Sequence, residues 1–89
     1  MEVTGVKIFP VSERRVKAYA SIVLDDCFIV RDLKVIDGDS KLFVAMPSKK
    51  MKDGSYRDTV HPLDNNTRQK IEVRVLDAYE KELHKQPIY

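Results

Sequence analysis

The sequence predicts an α+β fold: a mainly antiparallel β-sheet with one C-terminal amphipathic helix packed on it. Three observations predict it. Residues 16–24 (VKAYASIVL) and 27–36 (CFIVRDLKVI) alternate apolar and polar positions and are separated by two aspartates. From about residue 66 the apolar spacing changes to three and four. The two periods are segregated along the chain, strands first and helix last, which suits an antiparallel sheet and not a series of parallel crossovers.

Each element has its own justification. Residues 2–9 alternate loosely, with Val6 and Ile8 flanking Lys7. In residues 16–24, Val16, Ala18, Ala20, Ile22 and Leu24 share one face, and Lys17, Tyr19 and Ser21 the other. A period of two over that length predicts a half-buried strand. Asp25-Asp26 makes a tight turn, and the next run puts Ile29, Leu33 and Val35 on a common face, so the pair reads as a β-hairpin. DGDSK (37–41) is a second turn, with Asp-Gly suited to positive φ. LFVAM (42–46) is a short, continuously apolar strand expected to be buried on both sides, and Pro47 ends it. KDGS (52–55) is a third turn, from which YRDTV (56–60) returns as a strand until Pro62. DNN (64–66) supplies N-cap candidates, and Asn66, with Gln69 three residues on, resembles a capping box. Ile71, Val75, Ala78, Tyr79 and Leu83 then form one stripe of a helix over about 66–84, with Lys70, Arg74, Asp77 and Lys81 opposite and Pro87 beyond its end.

The 89 residues predict a single domain, 1–89, with strands over about 2–60. A chain of this size buries only about 60–65% of its unfolded surface, so its stability margin is thin and self-association would add to it. With 43% hydrophobic and 34% charged residues it is too apolar for a disordered chain. No apolar run approaches the roughly 18 residues of a membrane span. The start, MEVTGVKIFP, carries no export signal, which predicts a cytoplasmic protein. Cys27 is the only cysteine, so an internal disulfide and a thiolate zinc site are excluded. It reads as a buried small hydrophobe.

Catalytic constellations are not found. His61 precedes a proline and reads as a structural ring satisfied by a backbone bond, while His84 lies in the last helical turn; neither has ligands at metal spacing. The carboxylates of DDCF and DGD lie in turns, where Asp is expected for backbone reasons. The chain therefore reads as a non-enzyme without catalytic residues, cofactor or metal.

Charge points elsewhere. Residues 1–48 carry seven Lys/Arg and seven Asp/Glu, and residues 61–89 five of each. The whole formal excess of +2 lies in residues 47–60, where Lys49, Lys50, Lys52 and Arg57 outnumber Asp53 and Asp58. A basic loop on a near-neutral protein is commonly no more than solvated, but these four cations fall on a strand-turn-strand support. A two-stranded ribbon is narrow enough for the DNA major groove, and Lys and Arg reach phosphates. Arg68 and Lys70 extend the patch at a helix N-terminus. Phe43 and Tyr56 are candidates for stacking on unpaired bases; Phe43 reads as core and Tyr56 stays open. Tyr19, on the polar face of its strand, is an interface candidate. The exposed edges of the sheet suggest a homodimer paired edge to edge. On these residues alone, nucleic-acid binding and protein interaction both stay open.

The strings MEVTGVKI, AYASIVLDDCFIVRDLKVIDG, LFVAMPSKK and DGSYRDTVHPL, with the helix after them, resemble the stage V sporulation protein G (SpoVG) or septation protein family over about residues 1–83. The resemblance implies a dimeric bacterial regulator, its sheet packed against a C-terminal helix, that binds DNA at preferred sites and also RNA. It implies effects on sporulation-associated septation or on gene expression. It places the nucleic-acid contacts in the basic segment after Ala-Met-Pro-Ser, here Lys49, Lys50 and Met51. The family usually has Lys-Arg-Thr there. Lys50 lacks the guanidinium fork suited to guanine and Met51 lacks a hydroxyl, while Lys52, often proline in the family, restores a charge. Phosphate attraction is then expected to be kept and base selectivity altered. Lys41 stands where the family often has glycine, and the family's acidic tail is nearly absent, HKQPIY standing there instead. A protein-interaction module in a division or regulatory complex remains the alternative.

Overall fold

The computed structural model describes residues 1–85. Strands β1 (Val3–Pro10), β2 (Val16–Leu24), β3 (Phe28–Asp37), β4 (Leu42–Ala45), β5 (Ser48–Lys50) and β6 (Tyr56–Asp58) precede helix α1 (Asn65–Lys85). The first four form one antiparallel sheet in the order β1-β2-β3-β4, and β5 and β6 form a separate two-stranded ribbon. This is the α+β architecture the two periods predict. The expected stop at Pro87 lies outside the described residues.

The β2–β3 turn is as tight as its two aspartates suggest. Asp25 and Asp26 both adopt left-handed backbone, φ 50° and 55°, and the Cys27 N–H donates to the Leu24 carbonyl at 3.0 Å. Two positive φ values in succession match the right-handed twist of a hairpin, and Asp tolerates them better than most residues. Cys27 is exposed in this turn and not buried as expected, because it precedes the first paired residue, Phe28.

Alternation in β3 breaks at one point. Ala20 pairs with Leu33 and Ile22 with Val30, so Ser21 faces two residues, Arg31 and Asp32. Asp32 has φ 67°. This is a β-bulge, and it shifts the side-chain period by one. Val30, Leu33 and Val35 therefore face the core, whereas Ile29, expected beside Leu33, is 50% exposed on the other side.

β4 is covered on one face only, since the one helix packs on a single side of the sheet. Val44 and Met46 point inward, but Phe43 is 38% exposed, which corrects its reading as core. Its ring lies against Gly38: a Cβ there would meet the ring at 3.1 Å and the Lys41 carbonyl at 2.8 Å. Gly38 is thus required for close approach and not for the positive φ expected of an Asp-Gly turn; Gly54 is the one glycine with positive φ among the described residues.

The helix starts one residue earlier than expected, and of the three cap candidates the first is the one used. Asp64 Oδ1 accepts the Thr67 N–H at 2.7 Å, so Asp64, and not Asn66, is the N-cap. That bond holds the Asp64 carboxyl below the usual carboxylate range. Ile71, Val75 and Tyr79 are buried against the sheet, Ala78 packs at the margin, and Leu83 on the same stripe is exposed. The core joins these to Ile8, Ala18, Ala20, Ile22, Val30, Leu33, Val35, Val44 and Met46. Fully enclosed side chains such as Leu33 and Val75 contribute about 1.5–3 kcal/mol each by burial. The helix also ties down both sheet edges: Arg74 Nη1 donates to the Val3 carbonyl, and the Val44 N–H donates to Glu72 Oε2 at 3.4 Å.

Candidate nucleic-acid interface

The ribbon of β5 and β6 begins where Pro47 ends β4. Its root is closed by Thr59, whose N–H and hydroxyl both donate to the Pro47 carbonyl, at 2.8 and 3.2 Å. Its tip is a three-residue loop with a bulge. The Met51 N–H donates to the Ser55 carbonyl at 2.7 Å, the Gly54 N–H to the Met51 carbonyl at 3.0 Å, and Gly54 has φ 91°. A Cβ on Gly54 would touch nothing, so only backbone conformation demands glycine there.

Asp53 is occupied by the turn. Its Oδ1 accepts the Ser55 N–H at 2.9 Å and the Ser55 hydroxyl at 2.6 Å. These bonds hold its carboxyl below the usual range, the hydroxyl contributing most. The nearest acid in sequence is thereby used to shape the tip and not to neutralise a lysine.

Register fixes where the cations stand. Lys49 pairs with Arg57, Lys50 with Tyr56 and Ser48 with Asp58. Directly opposed residues share a face, so Lys49 and Arg57 lie side by side on one face and Lys50 and Tyr56 on the other. Lys52 sits in the turn and Met51 just before it. Every residue from Ser48 to His61 is exposed, Tyr56 by 69%, and the ribbon touches no other strand or helix. Among the described residues the ion pairs are Arg15–Asp39, Lys81–Asp77 and His84–Glu80, and none involves Lys49, Lys50, Lys52 or Arg57.

Arg68 and Lys70 are elsewhere. They lie on the first turns of α1, and Lys70 borders a groove between the helix and Met1, Glu2 and Val3. The Asp64 carboxylate already occupies the N-terminal end of that helix, which reduces its attraction for another anion. The structure thus joins Lys49, Lys50, Met51, Lys52 and Arg57 in one ribbon and leaves Arg68 and Lys70 on a different element. His61 is exposed, and its Nδ1 lies 3.0 Å from the Pro62 carbonyl, the backbone bond expected of it. No three His, Cys, Asp or Glu side chains gather for a metal among the described residues, and no described helix is long and apolar enough to cross a membrane.

The direct opposition of Lys49 and Arg57 was not read from sequence, although the turn signal at Asp53-Gly54 fixes it once the loop length is known. The sheet's outward cations, Lys7, Arg31 and Lys34, were also missed as a group; the bulge at Asp32 hides their common side.

Comparison with known proteins decides the kinship. A SpoVG family profile matches residues 1–81. The chain belongs to the SpoVG family. It is 66% identical over 83 residues to a septation protein SpoVG of Bdellovibrio bacteriovorus, covering 93% of this chain and 77% of that protein. SpoVG septation proteins of an Anaeromyxobacter species and of Myxococcus xanthus are each 54% identical, over 85 and 84 residues, covering 96% and 94% of this chain and 88% and 85% of theirs. These relatives carry the name of septation proteins, and the family match spans both the sheet and most of the helix.

Proposed function

We propose that this SpoVG protein is a non-enzymatic, cytoplasmic DNA- and RNA-binding regulator that grips the phosphate backbone with the β5–β6 ribbon. One observation carries the reading. Lys49 and Arg57 stand opposed on an exposed ribbon with no carboxylate partner among the described residues. Like charges opposed across a strand pair are unfavourable by themselves, and a polyanion relieves the repulsion. Lys50 and Lys52 add charge at the tip, Met51 offers an apolar contact, and Tyr56 offers a ring beside Lys50. Arg68 and Lys70 make at most a secondary contact from the helix.

The protein acts as a homodimer paired through a sheet edge. β1 is the longer edge, eight residues against four in β4. Pairing through β1 presents two ribbons to one nucleic acid.

Gel-shift and anisotropy titrations against duplex and single-stranded oligonucleotides test the reading. If two ribbons neutralise about six phosphates, log K falls against log salt with a slope near −5. Replacing Lys49, Lys50 and Lys52 together by Ala abolishes most binding and leaves the fold intact; retained affinity would sink the assignment. A second reading, a protein-interaction module, draws on Val60 and Leu63, 44% and 93% exposed after the ribbon. Salt separates the two, since an apolar contact responds little to it.

A further inference from the structure

The helix covers one face of the four-stranded sheet and leaves the other open. Register places Phe9 opposite Tyr19, Tyr19 opposite Lys34, and Lys7 opposite Ser21 on that open face. Phe9 is 46% exposed. The Lys7 ammonium lies 5.8 Å from the centre of the Phe9 ring. Lys7, Phe9 and Tyr19 border a shallow hollow with Val23, Ile29 and Arg31. Glu13 beside the Tyr19 hydroxyl raises that phenol's pKa above its ordinary value.

We propose that this open face is a second nucleic-acid surface, separate from the ribbon, on which unpaired bases of single-stranded RNA or DNA stack on Phe9 and Tyr19. Two aromatic rings on adjacent strands form a platform of the kind that antiparallel sheets offer to unstacked bases, and stacking of this sort is tolerant of sequence. Lys7, Arg31 and Lys34 supply the attraction for phosphate. They outnumber the acids of the same region, Asp32 and Glu13. The excess also argues against a second copy as the occupant: two such faces pressed together would set Lys7, Arg31 and Lys34 against their own kind in a desolvated contact, which is costly. Duplex DNA offers its bases edge-on and paired, so the face favours single strands.

Fluorescein-labelled oligo(U), oligo(dT) and a duplex, each about 15 nucleotides long, test the proposal by anisotropy. The double variant Phe9→Leu/Tyr19→Leu keeps apolar area but loses both rings; it is expected to lose about tenfold or more in single-strand affinity and nothing in duplex affinity. Tyr19→Phe, which keeps the ring, retains wild-type affinity. Should the leucine variant misfold by circular dichroism, Lys7→Ala/Arg31→Ala replaces it, lowering the single-strand salt slope by about 1–2 with the duplex slope unchanged. Single-strand affinity within twofold of wild type overturns the proposal. So does sedimentation in which the leucine variant converts a dimer to a monomer, since the face then belongs to a second copy. Wild-type protein that binds duplex but no single strand sinks this proposal and spares the ribbon; protein that binds neither sinks both.

Discussion

Arg57→Glu tests the ribbon by two readouts that move in opposite directions. Lys49 and Arg57 face each other in register, with neither charge paired among the described residues. Reversing one charge turns a cross-strand repulsion into an attraction. Opposed pairs of this kind are worth about 0.2–1 kcal/mol, at the lower end where both side chains are solvated. Because the ribbon touches no other element, the gain is local. Native-state hydrogen exchange by NMR reads it at the Met51 amide, which donates to the Ser55 carbonyl at the tip. Exchange there slows by up to about fivefold, while the global unfolding midpoint hardly changes. Nucleic-acid affinity moves the other way. One lost cation per subunit lowers the steepness of the salt dependence by about 1, or about 2 for a dimer that engages both ribbons, and the new carboxylate repels phosphate in addition. A variant with a tighter tip and unchanged affinity would refute the claim that this cation pair is kept for an anion. A variant with a looser tip would refute the facing geometry itself.

Gly54→Ala is expected to raise Met51 exchange and weaken binding: the position has φ 91°, which costs a non-glycine residue about 1–2 kcal/mol although no atom blocks the added methyl. Leu33→Ala removes a fully buried side chain from the centre of the sheet and should cost about 2–5 kcal/mol in urea denaturation, with the ribbon's intrinsic affinity unaltered in the folded fraction. The Asp64 carboxyl is held below its unfolded value by the Thr67 N–H, so its contribution is fully present above the ordinary aspartate range and is lost as pH falls through the lowered folded value. Asp64→Asn keeps a capping acceptor and should flatten this part of the acid limb of a Tm-against-pH curve, whereas Asp64→Ala lowers Tm at neutral pH as well.

Regular alternation made most of the sheet legible, and it failed where the backbone departs from it. β2 reads directly because Ala18, Ala20 and Ile22 alternate without interruption. In β3 the extra residue at Arg31–Asp32 moves Ile29 to the open face, and no local sequence signal short of Asp32's tolerance for left-handed backbone announces it. Phe43 misleads for another reason: a continuous apolar run predicts two-sided burial, but one helix can cover only one face, and hydrophobicity alone does not say which strand lies at the edge. The cap is located by sequence only to Asp64, Asn65 and Asn66, all competent acceptors; Asp64 wins by standing three residues before a free N–H at Thr67. The basic ribbon was visible as a charge surplus around Asp53-Gly54, but its internal arrangement depends on loop length, which sets which side chains oppose one another.

The separation of ribbon from core explains how so small a domain can hold an unfavourable charge arrangement. Two cations opposed on a strand of the main sheet would reduce a margin that an 89-residue chain has little of. On the ribbon the same repulsion acts within one strand pair of three residue pairs, held at both ends by other means: Pro47 with Thr59 at the root, and Asp53 with Ser55 and Gly54 at the tip. Neither closure uses a lysine or Arg57, so the basic side chains are left with no structural duty. It follows that the charges can vary with little penalty to folding, whereas the closures cannot vary without disordering the charges. Thr59→Val makes the distinction measurable, because it removes the hydroxyl bond to Pro47 and leaves every cation in place. If rigid spacing matters, binding weakens with the salt slope intact; if charge alone suffices, binding is unchanged and the ribbon's order has no part in recognition.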